Sequence, residues 1–136
     1  MKWKLSVKDI FNASPVLPVM VIKQIEDAEP MAQALLEGGI RVFEITLRTD
    51  VALEAIKRIS KAFTEAIVGA GTVINIEQYD VVIKEGAKFA ISPGATEKLL
   101  MNAAKGKIAI GHGTATRSDK MKALELGQDH LKLFPA

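Results

Sequence analysis

The run His130-Leu131-Lys132-Leu133-Phe134 is short, apolar and rich in strand formers, with one lysine in its middle. Alternate side chains of a strand point to opposite faces. Leu131 and Leu133 therefore share one face, and His130 and Lys132 share the other. A lysine facing a barrel interior would be desolvated, which frees the amine lone pair for attack on a carbonyl. The plainer reading is a lysine that guards an edge strand against aggregation. In Val42-Phe43-Glu44-Ile45-Thr46-Leu47-Arg48, Phe43, Ile45 and Leu47 form an apolar face. Glu44 lies on the opposite one, where a carboxylate is costly unless it is paired or employed in proton transfer. An ion pair with Arg48 or Lys132 would equally account for it. Arg48 follows at the strand's C-terminal end, where its planar fork suits a carboxylate, although Arg48-Thr49-Asp50 also reads as a loop leading into a helix.

Gly69-Ala70-Gly71-Thr72 ends another apolar run. Its glycines would let a ligand approach the backbone, but it lacks the third glycine and the acidic partner of a dinucleotide fingerprint. Ser92-Pro93-Gly94 ends a further run and could be a plain turn. The two histidines, His112 and His130, have no carboxylate at ligand spacing, so no catalytic metal site and no cofactor are expected, although carboxylates alone could hold magnesium. There is no cysteine, which excludes disulfide and thiolate chemistry.

These residues need a scaffold. Apolar runs at residues 16–22, 42–47, 66–73, 89–92, 107–110 and 130–134 are short and β-branched, as buried strands are. Between them lie amphipathic segments with helix punctuation. Pro30 falls in the first turn of one that stops at Gly38-Gly39, and Asp50 precedes another. Asn75 stands three before Gln78, with Gly86 closing that helix. Thr96 opens the next, which Gly106 ends, and Thr116 or Ser118 opens the last, which Gly127 ends. A helix at about residues 6–11 stands outside the repeat. Repeated strand–helix units imply a parallel sheet with right-handed crossovers, either doubly wound or a barrel. Inner strands of a doubly wound sheet should be apolar on both faces. Two strands that each carry an ionisable residue on one face favour the barrel.

The chain has 136 residues, 49% of them hydrophobic, enough for one domain with a real core. Its net charge of +2 is scattered, without the basic stripe of a nucleic-acid binder. Charge interrupts any leader-like apolar stretch after Met1, and no window approaches a membrane span, so a cytoplasmic protein is expected.

Five stretches together resemble the 2-keto-3-deoxy-6-phosphogluconate aldolase family: Pro15 to Met20, Phe43 to Thr49, Val68 to Val73, Ala90 to Gly94 and Leu131 to Ala136. They follow the family's order and spacing. The resemblance implies one domain, residues 1–136, built as a (βα)8-barrel that is incomplete, with about six parallel strands and an extra N-terminal helix. It implies a Schiff base on Lys132, Glu44 as general acid/base, and Arg48, Thr72 and the Gly71 turn holding the substrate carboxylate, with Pro93 lining the pocket. The substrate would be 2-keto-3-deoxy-6-phosphogluconate, cleaved to pyruvate and glyceraldehyde 3-phosphate, or 4-hydroxy-2-oxoglutarate. A homotrimer is the family's assembly. Two features depart from the pattern. His112 replaces a proline at the end of the fifth strand, which would put it near the pocket. The chain also stops after the sixth strand, leaving the alternatives of a non-catalytic module that binds a small anion or a protein, or an inactive truncated relative.

Overall fold

The computed structural model describes residues 3–136; Met1 and Lys2, the start of the segment read above for a leader, lie outside the described residues. Six strands form one parallel sheet: β1 (Val19–Met20), β2 (Val42–Thr46), β3 (Ile67–Gly71), β4 (Phe89–Ser92), β5 (Ala109–Thr114) and β6 (Lys132–Leu133). Six helices accompany them: α1 (Val7–Ala13), α2 (Ala28–Glu37), α3 (Ala52–Ala62), α4 (Ile76–Lys84), α5 (Glu97–Lys105) and α6 (Arg117–Glu125). The sheet order is β1-β2-β3-β4-β5-β6, strictly sequential. That is barrel order, and it rules out the doubly wound alternative, whose strand order reverses at a switch point.

Local chemistry explains the helix limits. Ser6 caps α1 in a capping box with Asp9, and Thr116 does the same for α6 with Asp119. Asn75 accepts from the Gln78 N–H, and Thr96 from the Leu99 N–H. Gly86 and Gly127 adopt φ of 99° and 80°, a left-handed geometry that a side chain resists, so glycine ends these helices. The expected role of Asp50 is not met: Val51 occupies the cap position of α3, with no side-chain cap bond.

The two faces of the sheet carry two apolar layers. Phe43, Ile45, Val68, Ala70, Ala90 and Ile110 pack outward with Ala28, Ala55, Ile56, Ile59 and Leu99 of the helices. Val42, Phe89, Ile91 and Ala109 pack inward with Val7 and Ile10, so α1 plugs the interior. This is the face assignment that strand alternation implies for β2. Trp3 ties the N-terminal segment to α5 through its indole N–H, which donates to the Ala103 carbonyl at 2.8 Å.

Four interior glycines make room for large neighbours. A methyl at Gly69 would lie 2.1 Å from the Phe89 ring, one at Gly71 would lie 1.9 Å from a Glu44 oxygen, and one at Gly111 would lie 2.9 Å from Ile91. At Gly113 it would lie 2.0 Å from the Pro93 carbonyl. The curled sheet is thus filled from alternate strands, large against small.

Candidate active site

Strand register brings the candidate residues together. Glu44 pairs with Gly69 and Thr46 with Gly71 across β2 and β3, while Gly113 of β5 pairs with Lys132 of β6. One cavity of about 270 Å³ is lined by Glu44, Arg48, Thr72, Pro93 and Lys132, together with Val19, Ile91 and Phe134. Five of the six residues singled out from the sequence therefore meet in one place. Gly71, the sixth, lies directly behind the Glu44 carboxylate. The cavity sits at the C-terminal ends of the strands, where barrel active sites assemble.

Glu44 is 3% exposed. Burial raises its carboxyl above the ordinary range, because the charged form loses water; the positive charges of Lys132 and Arg48 pull it partly back. Lys132 is half-buried, and its Nζ lies over the Phe134 ring, 4.9 Å from the centroid. The Thr114 hydroxyl donates to the Lys132 carbonyl at 3.3 Å and fixes the strand that carries the amine. Arg48 is exposed and lies in the turn after β2, free to reach an incoming carboxylate.

Thr72 holds φ of 60°, the only positive-φ residue other than glycine among those described. Strand alternation from Gly71 would aim position 72 toward the helices, yet its side chain lines the cavity. A β-branched residue in left-handed backbone is strained by about 1–3 kcal/mol, a cost found mostly where function demands it. The Ser92 hydroxyl donates to the Gly94 carbonyl, closing the turn that presents Pro93.

His112 is not in this cavity. It is 2% exposed and alternates with inward Gly111 and Gly113, so it shares the outward face of β5 with Ile110. There it lines a separate cavity with Leu100 and Ala123 of α5 and α6. His112 thus lies near the reaction cavity, its own cavity sharing Pro93 and Phe134 with it, but on the other side of the strand: Gly111 and Gly113 face the interior, and the residue between them cannot. His130, expected on the same face as Lys132, lies before β6 against α1, with its ring 6.3 Å from Phe11 and its Nδ1 2.7 Å from the Asp129 carboxylate. Among the described residues no group of three histidine, cysteine or carboxylate side chains could hold a metal ion. No helix among them is long and apolar enough to cross a membrane. Sequence reasoning missed Val19, Ile91 and Phe134 as cavity walls. The alternation that places Phe89 inside also places Ile91 there, and Phe134 stands two residues beyond Lys132.

Comparison with known proteins adds independent findings. The family model for KDPG and KHG aldolases matches residues 7–136. The KHG/KDPG aldolase of Escherichia coli is 50% identical over 134 residues, covering 98% of this chain and 63% of that protein. The 2-dehydro-3-deoxy-phosphogluconate aldolase of Zymomonas mobilis is 46% identical over 130 residues, 96% of this chain and 62% of the relative. The chain thus spans just under two thirds of the length of these relatives. The crystal structure of KDPG aldolase from Legionella pneumophila, with pyruvate captured as a covalent carbinolamine, superposes with a TM-score of 0.96 at 48% identity. That match covers 98% of this chain and 65% of the Legionella chain.

Proposed function

The chain belongs to the KDPG and KHG aldolase family, and from that premise we propose that it carries the imine-forming centre of a class I aldolase, with Lys132 as nucleophile. The observation that supports this best is the convergence of Lys132, Glu44, Arg48, Thr72 and Pro93, drawn from four different strand ends and loops, on one cavity. The substrate is a 2-keto-3-deoxy sugar-acid phosphate, 2-keto-3-deoxy-6-phosphogluconate, with 4-hydroxy-2-oxoglutarate as a second substrate.

Arg48 pairs with the substrate carboxylate, and the Thr72 hydroxyl with the nearby Gly71 turn supplies further hydrogen bonds. The Lys132 amine attacks the C2 ketone. The protonated Glu44 carboxyl, directly or through a water, gives its proton to the carbonyl oxygen, forming a carbinolamine. Loss of that oxygen as water yields the protonated imine. The Glu44 carboxylate then takes the C4 hydroxyl proton, the C3–C4 bond breaks, and its electron pair flows into the imine as an enamine. The aldehyde, glyceraldehyde 3-phosphate or glyoxylate, leaves. Protonation of C3 and hydrolysis release pyruvate and restore the lysine. A carboxyl raised by burial suits both the donating and the accepting roles.

The proposal includes a homo-oligomer, specifically a trimer, and a cytoplasmic location. Light scattering on the purified chain and cell fractionation test these. The function itself is tested by coupling pyruvate release from 2-keto-3-deoxy-6-phosphogluconate to lactate dehydrogenase. Turnover abolished by Lys132→Met is the expected result. Turnover that survives this substitution would overturn the assignment, and a chain that binds substrate without turnover would leave a non-catalytic relative.

A further inference from the structure

A further cavity opens at the opposite end of the sheet, among the residues that lead into the strands. It measures about 560 Å³, within the range of about 300–1,000 Å³ typical of small-molecule sites. Ile67 opens β3, and Ile108 stands immediately before β5. The space therefore lies at the N-terminal ends of the strands, away from the reaction cavity at their C-terminal ends. Its walls are aliphatic, made by Leu5, Ile67, Ile83, Ala87 and Ile108. Leu5 and Ile67 pack against the inward apolar layer, whereas Ile83, Ala87 and Ile108 pack with the outward one. The cavity is a seam where the two layers do not meet.

The charges around it decide what fits. Three lysines, Lys4, Lys88 and Lys107, also line the space, and no carboxylate among the described residues does. The Lys88 ammonium donates to the Thr64 carbonyl at 3.2 Å and to the Ala66 carbonyl at 2.6 Å, which pins it beside the start of β3. Those carbonyls fix its position without neutralising its charge. Lys4 and Lys107 are exposed. None of the three forms an ion pair with a carboxylate among the described residues. Lys107 also borders a neighbouring cavity with Lys84 and Lys105, where Asp80 is the one carboxylate. Positive charge thus gathers at one side of an aliphatic recess, and an anion relieves the mutual repulsion. A small inorganic anion would leave the aliphatic walls unused. A neutral apolar molecule would leave the ammonium groups unpaired. A molecule with both an aliphatic chain and an anionic head uses both.

We propose that this cavity binds a small amphipathic anion, an aliphatic chain ending in a carboxylate, with the chain between the two apolar layers and the head among Lys4, Lys88 and Lys107. The site stands independently of imine formation at Lys132.

Octanoate is the probe, titrated into the ¹⁵N-labelled chain and followed residue by residue through the backbone amides. Saturable shifts centred on Leu5, Ile67, Ala87, Lys88 and Ile108 are the expected result. Hexanoate, two methylenes shorter, should bind about tenfold more weakly. 1-Octanol keeps the tail but lacks the charge, and should bind about fivefold or more weakly. Lys107 is exposed, so Lys107→Glu should leave the fold intact while weakening octanoate about fivefold or more and leaving octanol unchanged. Shifts centred on Glu44, Thr72 and Lys132 would place the carboxylate in the reaction cavity and overturn the proposal. Shifts centred on Val19 and Leu133, exposed apolar residues of the two outermost strands, would mean adsorption to the sheet edges and sink it equally. So would affinity that ignores chain length, equal affinity for octanoate and octanol, or no saturable shift at all.

Discussion

Gly71→Ala is the sharpest perturbation of the reaction site, because the methyl it adds collides directly with the Glu44 carboxylate. The added methyl would fall 1.9 Å from Glu44 Oε1, 2.6 Å from its Cδ and 2.7 Å from its Cγ. Restoring an ordinary contact of about 3.4 Å moves the carboxylate by about 1.5 Å. Backbone cannot yield instead, since Gly71 is held in register with Thr46 and its carbonyl accepts from the Leu47 N–H at 2.9 Å. A misplacement of about 1 Å in a catalytic group costs roughly 100-fold in rate, about 2.7 kcal/mol of barrier. Overpacking should cost stability by about 1–3 kcal/mol, which a domain of this size tolerates. The assay is exchange of deuterium from solvent into the pyruvate methyl group, followed by ¹H NMR. Exchange requires the imine, the enamine and a group to move the proton. Gly71→Ala should exchange at least about 100-fold more slowly while keeping a cooperative unfolding transition. Adding Glu44→Gln to it should cost little more, because both changes disable the same carboxylate. Wild-type exchange in Gly71→Ala, or full additivity in the double variant, would refute the reasoning.

Three further outcomes follow from named groups. Burial raises the Glu44 carboxyl, so between the ordinary carboxylate value of 4.5 and its folded value the native state holds a proton that the unfolded chain has released. Stability through that group falls as pH rises across the window, and Glu44→Gln should remove this decline in denaturant melts compared against wild type. His112 has the opposite sign: its affinity for protons is lowered by burial, so the unfolded chain binds more of them below the ordinary value of 6.5. Its contribution is lost as pH falls below that value, and His112→Leu should flatten the acid side of the stability curve. The buried Tyr79 hydroxyl donates to the Ile108 carbonyl at 2.6 Å, so Tyr79→Phe should cost about 1–2 kcal/mol in thermal unfolding, and no change would deny that bond its weight.

Much of this could be read from residue types, because alternation and helix punctuation are local. The inward Glu44 and Lys132, the caps at Asn75, Thr96 and Thr116, and the six parallel strands all rest on periodicity within a few residues. The errors lie where distant parts of the chain decide. The apolar run of the fifth strand stops at residue 110, where Gly111 begins the alternation Gly111-His112-Gly113, yet β5 runs on to Thr114. Those glycines are there because Ile91 and Pro93 of the neighbouring strand occupy the interior. Once the strand is extended, His112 turns outward, away from the reaction pocket. Thr72 goes the other way: alternation alone points it toward the helices, and only its left-handed backbone lets it line the cavity. Asp50 had the chemistry of a cap, but α3 begins one residue too late for it to serve.

The most direct measurement is borohydride trapping with pyruvate, followed by peptide mass mapping. Reduction should fix a single pyruvate-derived adduct on Lys132, formed more slowly in Glu44→Gln and absent in Lys132→Met. An adduct spread over the surface lysines, or none at all on position 132 at saturating pyruvate, would contradict the account.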